Sequence, residues 1–394
     1  MIETFANGKV RSWASILDDQ TREQAERTAE LPIVSAPIAL MPDAHLGAGA
    51  AIGTVLVTER AVIPMAVGVD VGCGMAARKL GLTIDDLDDL APGRWVGTCA
   101  ATVPAGLGKW HARRSEGASR WLDRNPPPSV LKDIARVGAQ LGTLGSGNHF
   151  IELSVDESGG VWLLLHSGSR GAGNKLAQLH ARAAVAMNGD LAPDRDLAWL
   201  DAGTPDFDAY VRDLYWSQAY AMENRRELLT GAHGALESVV QHPVGIEDEV
   251  NCHHNYAVFE EVAELGRPMY VTRKGAISAR RGDRGLIPGA MGQASFVVSG
   301  LGNPASYESC AHGAGRVMSR RRARREISAG DFVARMEGVA WQEADVNALL
   351  DEAPQAYKDV ETVMRDQADL VSVDHRLKAI ANYKGVESVR RRRR

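Results

Sequence analysis

Residues 159–171 read GGVWLLLHSGSRG. The run 161–165 is uninterrupted and apolar, short enough for a buried strand, and it feeds directly into a loop of Gly, Ser and Arg. His166 stands where strand becomes loop. Immediately upstream, GTLGSGNHFIEL (142–153) repeats the arrangement in reverse, a glycine-rich approach entering a strand-like run behind Asn148 and His149. Further out, AAIGTVLVTERAVIPMAVGVD (50–70) has β-branched runs broken by Gly and Pro, and strand-like stretches return at 33–39, 267–271 and 294–298. Between them lie helical segments. Asp18 can cap a short amphipathic helix that Pro32 stops, residues 207–229 are rich in helix formers, and helical patterns dominate from 318 to 378. Residues 83–132, with NPPP at 125–128, read as a surface excursion. The fold class expected is mixed α/β (α+β), with central β-sheets flanked by helices.

The chain has 394 residues, 45% hydrophobic and 24% charged, with 40 glycines and a net charge of −5. That is the composition of a globular protein with many tight turns. Neither a signal peptide nor an apolar run of about eighteen residues is present, so a soluble, cytoplasmic protein is expected. Four cysteines form neither a disulfide framework nor a CxxC pair, which leaves any functional cysteine to act as a thiolate. The net negative charge excludes wholesale coating of nucleic acid, but arginines and lysines crowd the C-terminal third at 273–284 and 316–325. Chemistry-bearing loops are scattered from residue 41 to 316, and if they share one site the chain is a single domain over 1–385. Residues 386–394, ending in five arginines, then form a basic tail.

In AVGVDVGCGM (66–75), Asp70 and Cys73 lie three apart in a turn whose glycines let both side chains face one point. Alone, the pair would read as an inert buried Cys beside a capping Asp. With His149, His166 and one of the adjacent His253 and His254, the odds change. Neighbours in an extended chain face opposite ways, and His254 is the choice. One carboxylate, one thiolate and three imidazoles are too many donors for one open catalytic ion but suit two ions sharing a thiolate, the usual solution for phosphoryl chemistry. In SCAHGAGR (309–316), His312 sits among small residues that leave room for a bulky adduct. A neutral, oriented imidazole can attack phosphorus.

These segments in this order resemble the RtcB RNA ligase family, with MPDAHLGAGAAIG, GVDVGCGM, GTLGSGNHFIE, HSGSRG, EVNCHHNYA, VTRKGAISAR, IPGAMG and SCAHGAGRVMSR as the matching motifs. The resemblance covers residues 13–385. It implies an enzyme that uses GTP and two manganese ions to seal RNA 3′-phosphate or 2′,3′-cyclic phosphate ends to 5′-hydroxyl ends, and a monomer, with or without an activating protein partner. It further implies that Asp70, Cys73, His149, His166 and His254 are the metal ligands, with Cys73 bridging, and that His312 is the guanylylated nucleophile. Asn148, Glu152, Ser295 and Lys384 match nucleotide-contacting positions, and Arg170, Lys274 and Arg320 match phosphate-holding ones. The chain departs from the family pattern at Ala290, where Ser is usual, and in continuing beyond Gly385. Two other readings compete. A metal-dependent cyclic phosphodiesterase or phosphatase would need the metal ligands but not His312. A non-catalytic RNA-binding protein stabilised by metal would need neither an open site nor a nucleotide.

Overall fold

The computed structural model describes residues 2–386, so residues 387–394 of the expected basic tail lie outside the described residues. Two β-sheets carry the architecture. In the larger, seven strands lie in the spatial order Ile246–His253, Gly74–Thr83, Gly160–Ser167, Phe150–Val155, Val371–Lys384, Ser295–Gly300 and Arg284–Ile287. Every neighbouring pair is antiparallel.

The strand Gly160–Ser167 explains its own unbroken apolar sequence, because all eight of its residues are buried. Val161, Leu163 and Leu165 pack with Trp95, Leu228, Leu229 and Leu236 from two covering helices. Trp162 and Leu164 point the other way, into a core with Met75, Val250, Leu286, Val297 and Leu377. Successive side chains thus feed two different cores, so a period-two pattern has no polar face on which to show. The second core exists because the sheet rolls up. Its two edge strands come together, joined by Arg284 Nη1 and Asp248 Oδ2 at 2.6 Å.

The smaller sheet has six strands in the order Glu3–Phe5, Val10–Ser12, Ile38–His45, Ile52–Thr58, Arg267–Lys274 and Asn255–Val262. Only the pair Val10–Ser12 with Ile38–His45 is parallel. Against the larger sheet lies the helix Pro205–Val240, 36 residues long, which starts with Thr204 Oγ1 accepting from Phe207 N and Pro205 in its first turn.

The expected mixture of sheets and helices is what the chain forms, with three local corrections. The long helix extends well past the 207–229 read from helix formers. The supposed surface excursion contains the helix Ala91–Thr102, whose Trp95 and Cys99 are fully buried against the larger sheet. The stretch 318–378 is helical only in short pieces, and its end belongs to the strand Val371–Lys384, fifth of the seven. Among the described residues no helix is long and apolar enough to cross a membrane.

Candidate active site

The register of the larger sheet gathers the candidate ligands at one end. Gly74, directly after Cys73, pairs with Ser167 and with His253, and His166 pairs with both Met75 and Phe150. Phe150 in turn pairs with Lys384. Cys73, His149, His166, His254 and Lys384 therefore stand on or beside the ends of five adjacent strands. No sequence proximity is needed.

Two triads result, Asp70–Cys73–His149 and Cys73–His166–His254, each with its donor atoms within 4.8 Å of one another and with Cys73 common to both. Cys73 Sγ is 3.4 Å from His149 Nε2 and 3.3 Å from His166 Nε2, and His166 Nε2 is 3.2 Å from His254 Nε2. His149 Nε2 lies 3.0 Å from Asp70 Oδ2. His166 Nδ1 faces the carbonyl of Asn148 (3.1 Å) and His149 Nδ1 that of Leu144 (2.9 Å), with Arg170 Nη1 3.3 Å away; a proton on each Nδ1 would leave both Nε2 lone pairs free for a cation. A single thiol proton cannot satisfy that many acceptors. The donor set fits metal cations, as second partners on the far nitrogens of ligating histidines require.

Electrostatics agree. Burial, with the neighbouring positive groups, holds His166 and His254 well below the ordinary histidine value, so both are neutral. Burial would raise Asp70, but its contact with His149 and the nearby charge of Arg170 outweigh it and bring the carboxyl to about 2. Burial and the Asp70 charge push the Cys73 thiol well up, an order that a dication reverses. His253 turns away from the cluster, its Nδ1 against the Gly72 carbonyl and the Arg225 guanidinium.

His312 adjoins the second triad, its ring 4.6 Å from that of His254 at an interplanar angle of 74°. Its Nδ1 is 2.6 Å from Oδ2 of Asp43, a fully buried carboxylate that also accepts from the backbone N–H groups of His312 and Gly313. Asp43 was not singled out in the sequence. His312 lines a cavity of about 260 Å³ together with Asn148, Glu152, the loop 288–291 and Lys384. Asn148, Arg320 and Glu352 also line a neighbouring cleft of about 800 Å³, whose walls include Asp70, His149, Arg170, Arg321 and Arg324.

Other expected contacts distribute unevenly. Glu152 is buried, accepting from Ser154 Oγ and Asn382 Nδ2 at 2.8 Å each, and burial pushes its carboxyl up to about 7 against the pull of those donors and of Lys384. Lys384 Nζ is 3.0 Å from Glu352 Oε2, and Glu352, also unremarked in the sequence, meets Arg316 and Arg320 as well. Ser295 is buried at the start of its strand and lines neither cavity, although the preceding loop does. Lys274 also lines neither. Its Nζ donates to the carbonyls of Ala48 and Met65, which ties two loops together.

The model of the family described as tRNA-splicing ligase RtcB matches residues 24–125 and 116–385. The chain belongs to the RtcB family. It is similar to the RNA-splicing ligase RtcB of Escherichia coli K12, 41% identical over 97% of this chain and 98% of that one. It is also similar to the RNA-splicing ligase RtcB of Mycobacterium tuberculosis, at 31% over 86% and 94%. A more distant relative is the tRNA-splicing ligase RtcB of Nanoarchaeum equitans, at 28% over 96% of both. The paired triads and His312 thus lie within the part of the chain that matches the RtcB family model.

Proposed function

We propose that this RtcB-family chain is an RNA ligase that joins RNA 3′-phosphate or 2′,3′-cyclic phosphate ends to 5′-hydroxyl ends, using GTP and two manganese ions, with residues 1–385 as the ligase domain. The observation that carries the reading is His312. Its Nδ1 lies 2.6 Å from a buried carboxylate, and its ring stands beside a two-triad donor cluster and lines a cavity. Manganese bound by Asp70, Cys73 and His149, and by Cys73, His166 and His254, would supply Lewis-acid neutralisation of phosphate oxygens.

Asp43 orients His312 and stabilises positive charge on its ring, leaving Nε2 as the nucleophile. A bond forms from Nε2 to the α-phosphorus of GTP as the bond to pyrophosphate breaks, giving a His312–GMP phosphoramidate. An RNA 3′-phosphate oxygen, which a 2′,3′-cyclic end offers once water has added to its phosphorus and the bond to the 2′-oxygen has broken, then takes the GMP and His312 is released. Finally the 5′-hydroxyl of the second strand attacks the 3′-phosphorus, a phosphodiester forms and GMP leaves. Lys384 and Glu152, facing the same cavity, are suited to the polar edge of guanine. Arg170 and Arg320, on the cleft, are suited to phosphates.

The test is incubation with α-labelled GTP and manganese, followed by denaturing electrophoresis. Acid-labile label on the wild type, absent from His312→Ala and Cys73→Ala, is the expected result. An unlabelled wild type that is folded and metal-loaded would favour the phosphodiesterase reading instead.

A further inference from the structure

Beneath the metal ligands lies the helix Pro205–Val240, and one of its faces is built against them. Gly72, in the Asp70–Cys73 turn, has φ +72°, and a Cβ there would lie 2.9 Å from both Gln218 Cα and Ala221 Cβ. The turn therefore rests directly on the helix backbone. Gln218 and Ala221 are followed on the same face, one turn on, by Asn224 and Arg225. Both are fully buried.

The contacts of these two residues go to backbone and side-chain atoms near the candidate ligands. Arg225 Nη1 donates to the carbonyls of Gly72 (2.7 Å) and Ser167 (3.2 Å), the residues adjoining Cys73 and His166. Its Nη2 reaches Nδ1 of His253, beside His254, at 3.1 Å and Met222 Sδ at 3.8 Å, and its Nε donates to Asn251 Oδ1 at 2.7 Å. All three guanidinium nitrogens thus lie against polar or sulfur atoms of these segments. Asn224 Oδ1 accepts from the N–H groups of Gly142 and Thr143, at the head of the loop that leads to His149. Its Nδ2 donates to Thr143 O, Ser167 Oγ and Gly168 O, at 3.1–3.3 Å. Two consecutive side chains thus fasten four separate chain segments.

We propose that Asn224 and Arg225 are positioning residues of the metal centre, holding the loops of Cys73, His149, His166 and His254 at the separations that two ions require. The inference rests on the reading of those side chains as metal ligands. A planar guanidinium suits the task because its donors are fixed relative to one another, so moving one loop strains its bonds to the others. A lysine keeps the charge but has neither the plane nor the reach to hold three segments. A buried guanidinium that no carboxylate among the described residues pairs with is costly, which a purely packing role would not repay.

Cobalt(II), followed by its ligand-field absorption and thiolate charge-transfer band, tests this on the full chain without any reaction. The variants are Arg225→Lys and Asn224→Ser, with Leu236→Ala, a fully buried position on the same helix that packs in the apolar core, as a control for general destabilisation. The wild type is expected to bind two ions. Arg225→Lys and Asn224→Ser are expected to lose about 10- to 100-fold in affinity, with a changed spectrum, the range seen when partners of metal ligands are removed. Leu236→Ala is expected to unfold at lower denaturant yet bind as the wild type does. Unchanged affinity and spectrum in folded Arg225→Lys and Asn224→Ser would overturn the proposal, as would loss of the native fold in both. A wild type that binds no cobalt would instead overturn the ligand assignment beneath it.

Discussion

In the proposed mechanism Asp43 is the residue on which the orientation of His312 turns. Asp43→Asn keeps an oxygen for the N–H groups of His312 and Gly313 but removes the charge 2.6 Å from Nδ1. GMP labelling of His312 is expected to slow by about 10²-fold or more while bound metal is unchanged, and labelling at the wild-type rate would remove Asp43 from the mechanism. Glu152 makes a second case. Its carboxyl is raised from 4.5 to about 7, so the folded state favours the protonated form. Stability from that form is complete below 4.5 and is lost as pH rises towards 7, by about 1.4 kcal/mol for each pH unit in that window, after which the loss is constant. Glu152→Gln is expected to flatten the fall in urea midpoint between pH 4.5 and 7, and an unaltered slope would count against a burdened carboxylate. The five clustered side chains were legible in the sequence because Cys and His among glycines advertise their chemistry. Asp43 was not, since it lies inside the strand Ile38–His45 and only a contact 269 residues away gives it a role. Lys274 is harder to read, because charge alone does not tell a phosphate contact from a lysine bonded to carbonyls, as its Nζ is here.

Among elements, the loop that carries His312 shows how backbone geometry holds a site together. Gly315 has φ +72°, and a Cβ there would lie 2.2 Å from the Asp43 carbonyl oxygen. Gly315→Ala is therefore expected to be destabilised by about 1–3 kcal/mol in urea unfolding. It is also expected to label poorly with GMP, because relief of the clash parts the loop from Asp43; normal labelling in the variant would show the two segments to be independent. The strand Val371–Lys384 marks where local sequence fails as a guide. Its first half, VSVDHR, is largely exposed and rich in charge, while Leu377, Ala379, Ala381 and Tyr383 are buried at alternate positions. A register shift between Ala379 and Ala381 interrupts the pairing with Phe150–Val155. Good helix formers such as Leu, Lys and Ala overlie the alternation, and sheet pairing decides against them. Gly160–Ser167 was easier to read because burial on both faces gives a short unbroken apolar run bounded by glycine.

At the scale of the molecule, the donor cluster gathers segments from residues 70 to 254 at one sheet end, so metal binding and fold stability are linked. In the proposed two-manganese reading, free metal at a hundred times its dissociation constant would contribute about 2.7 kcal/mol per site. Chelation is expected to lower the melting temperature and added manganese to restore it, and a midpoint indifferent to both would argue against ion binding by the folded chain. Charge distribution sets the second expectation. The chain is net negative, yet Arg170, Arg320, Arg321 and Arg324 share the cleft beside His149. Arg320 and Arg324 are held by Asp351, which keeps their guanidinium groups on the cleft and offsets part of their charge. RNA affinity must then come from a few local phosphate contacts. For three or four such contacts to a single strand, log affinity is expected to fall with log salt at a slope of about −2 to −3. Arg321→Ala should make that slope shallower by about 0.7 and weaken different RNA sequences alike, because a phosphate contact carries no base information. A steeper slope in the wild type would place RNA on a wider basic surface than this cleft, and a slope unchanged by Arg321→Ala would take that arginine off the strand's path.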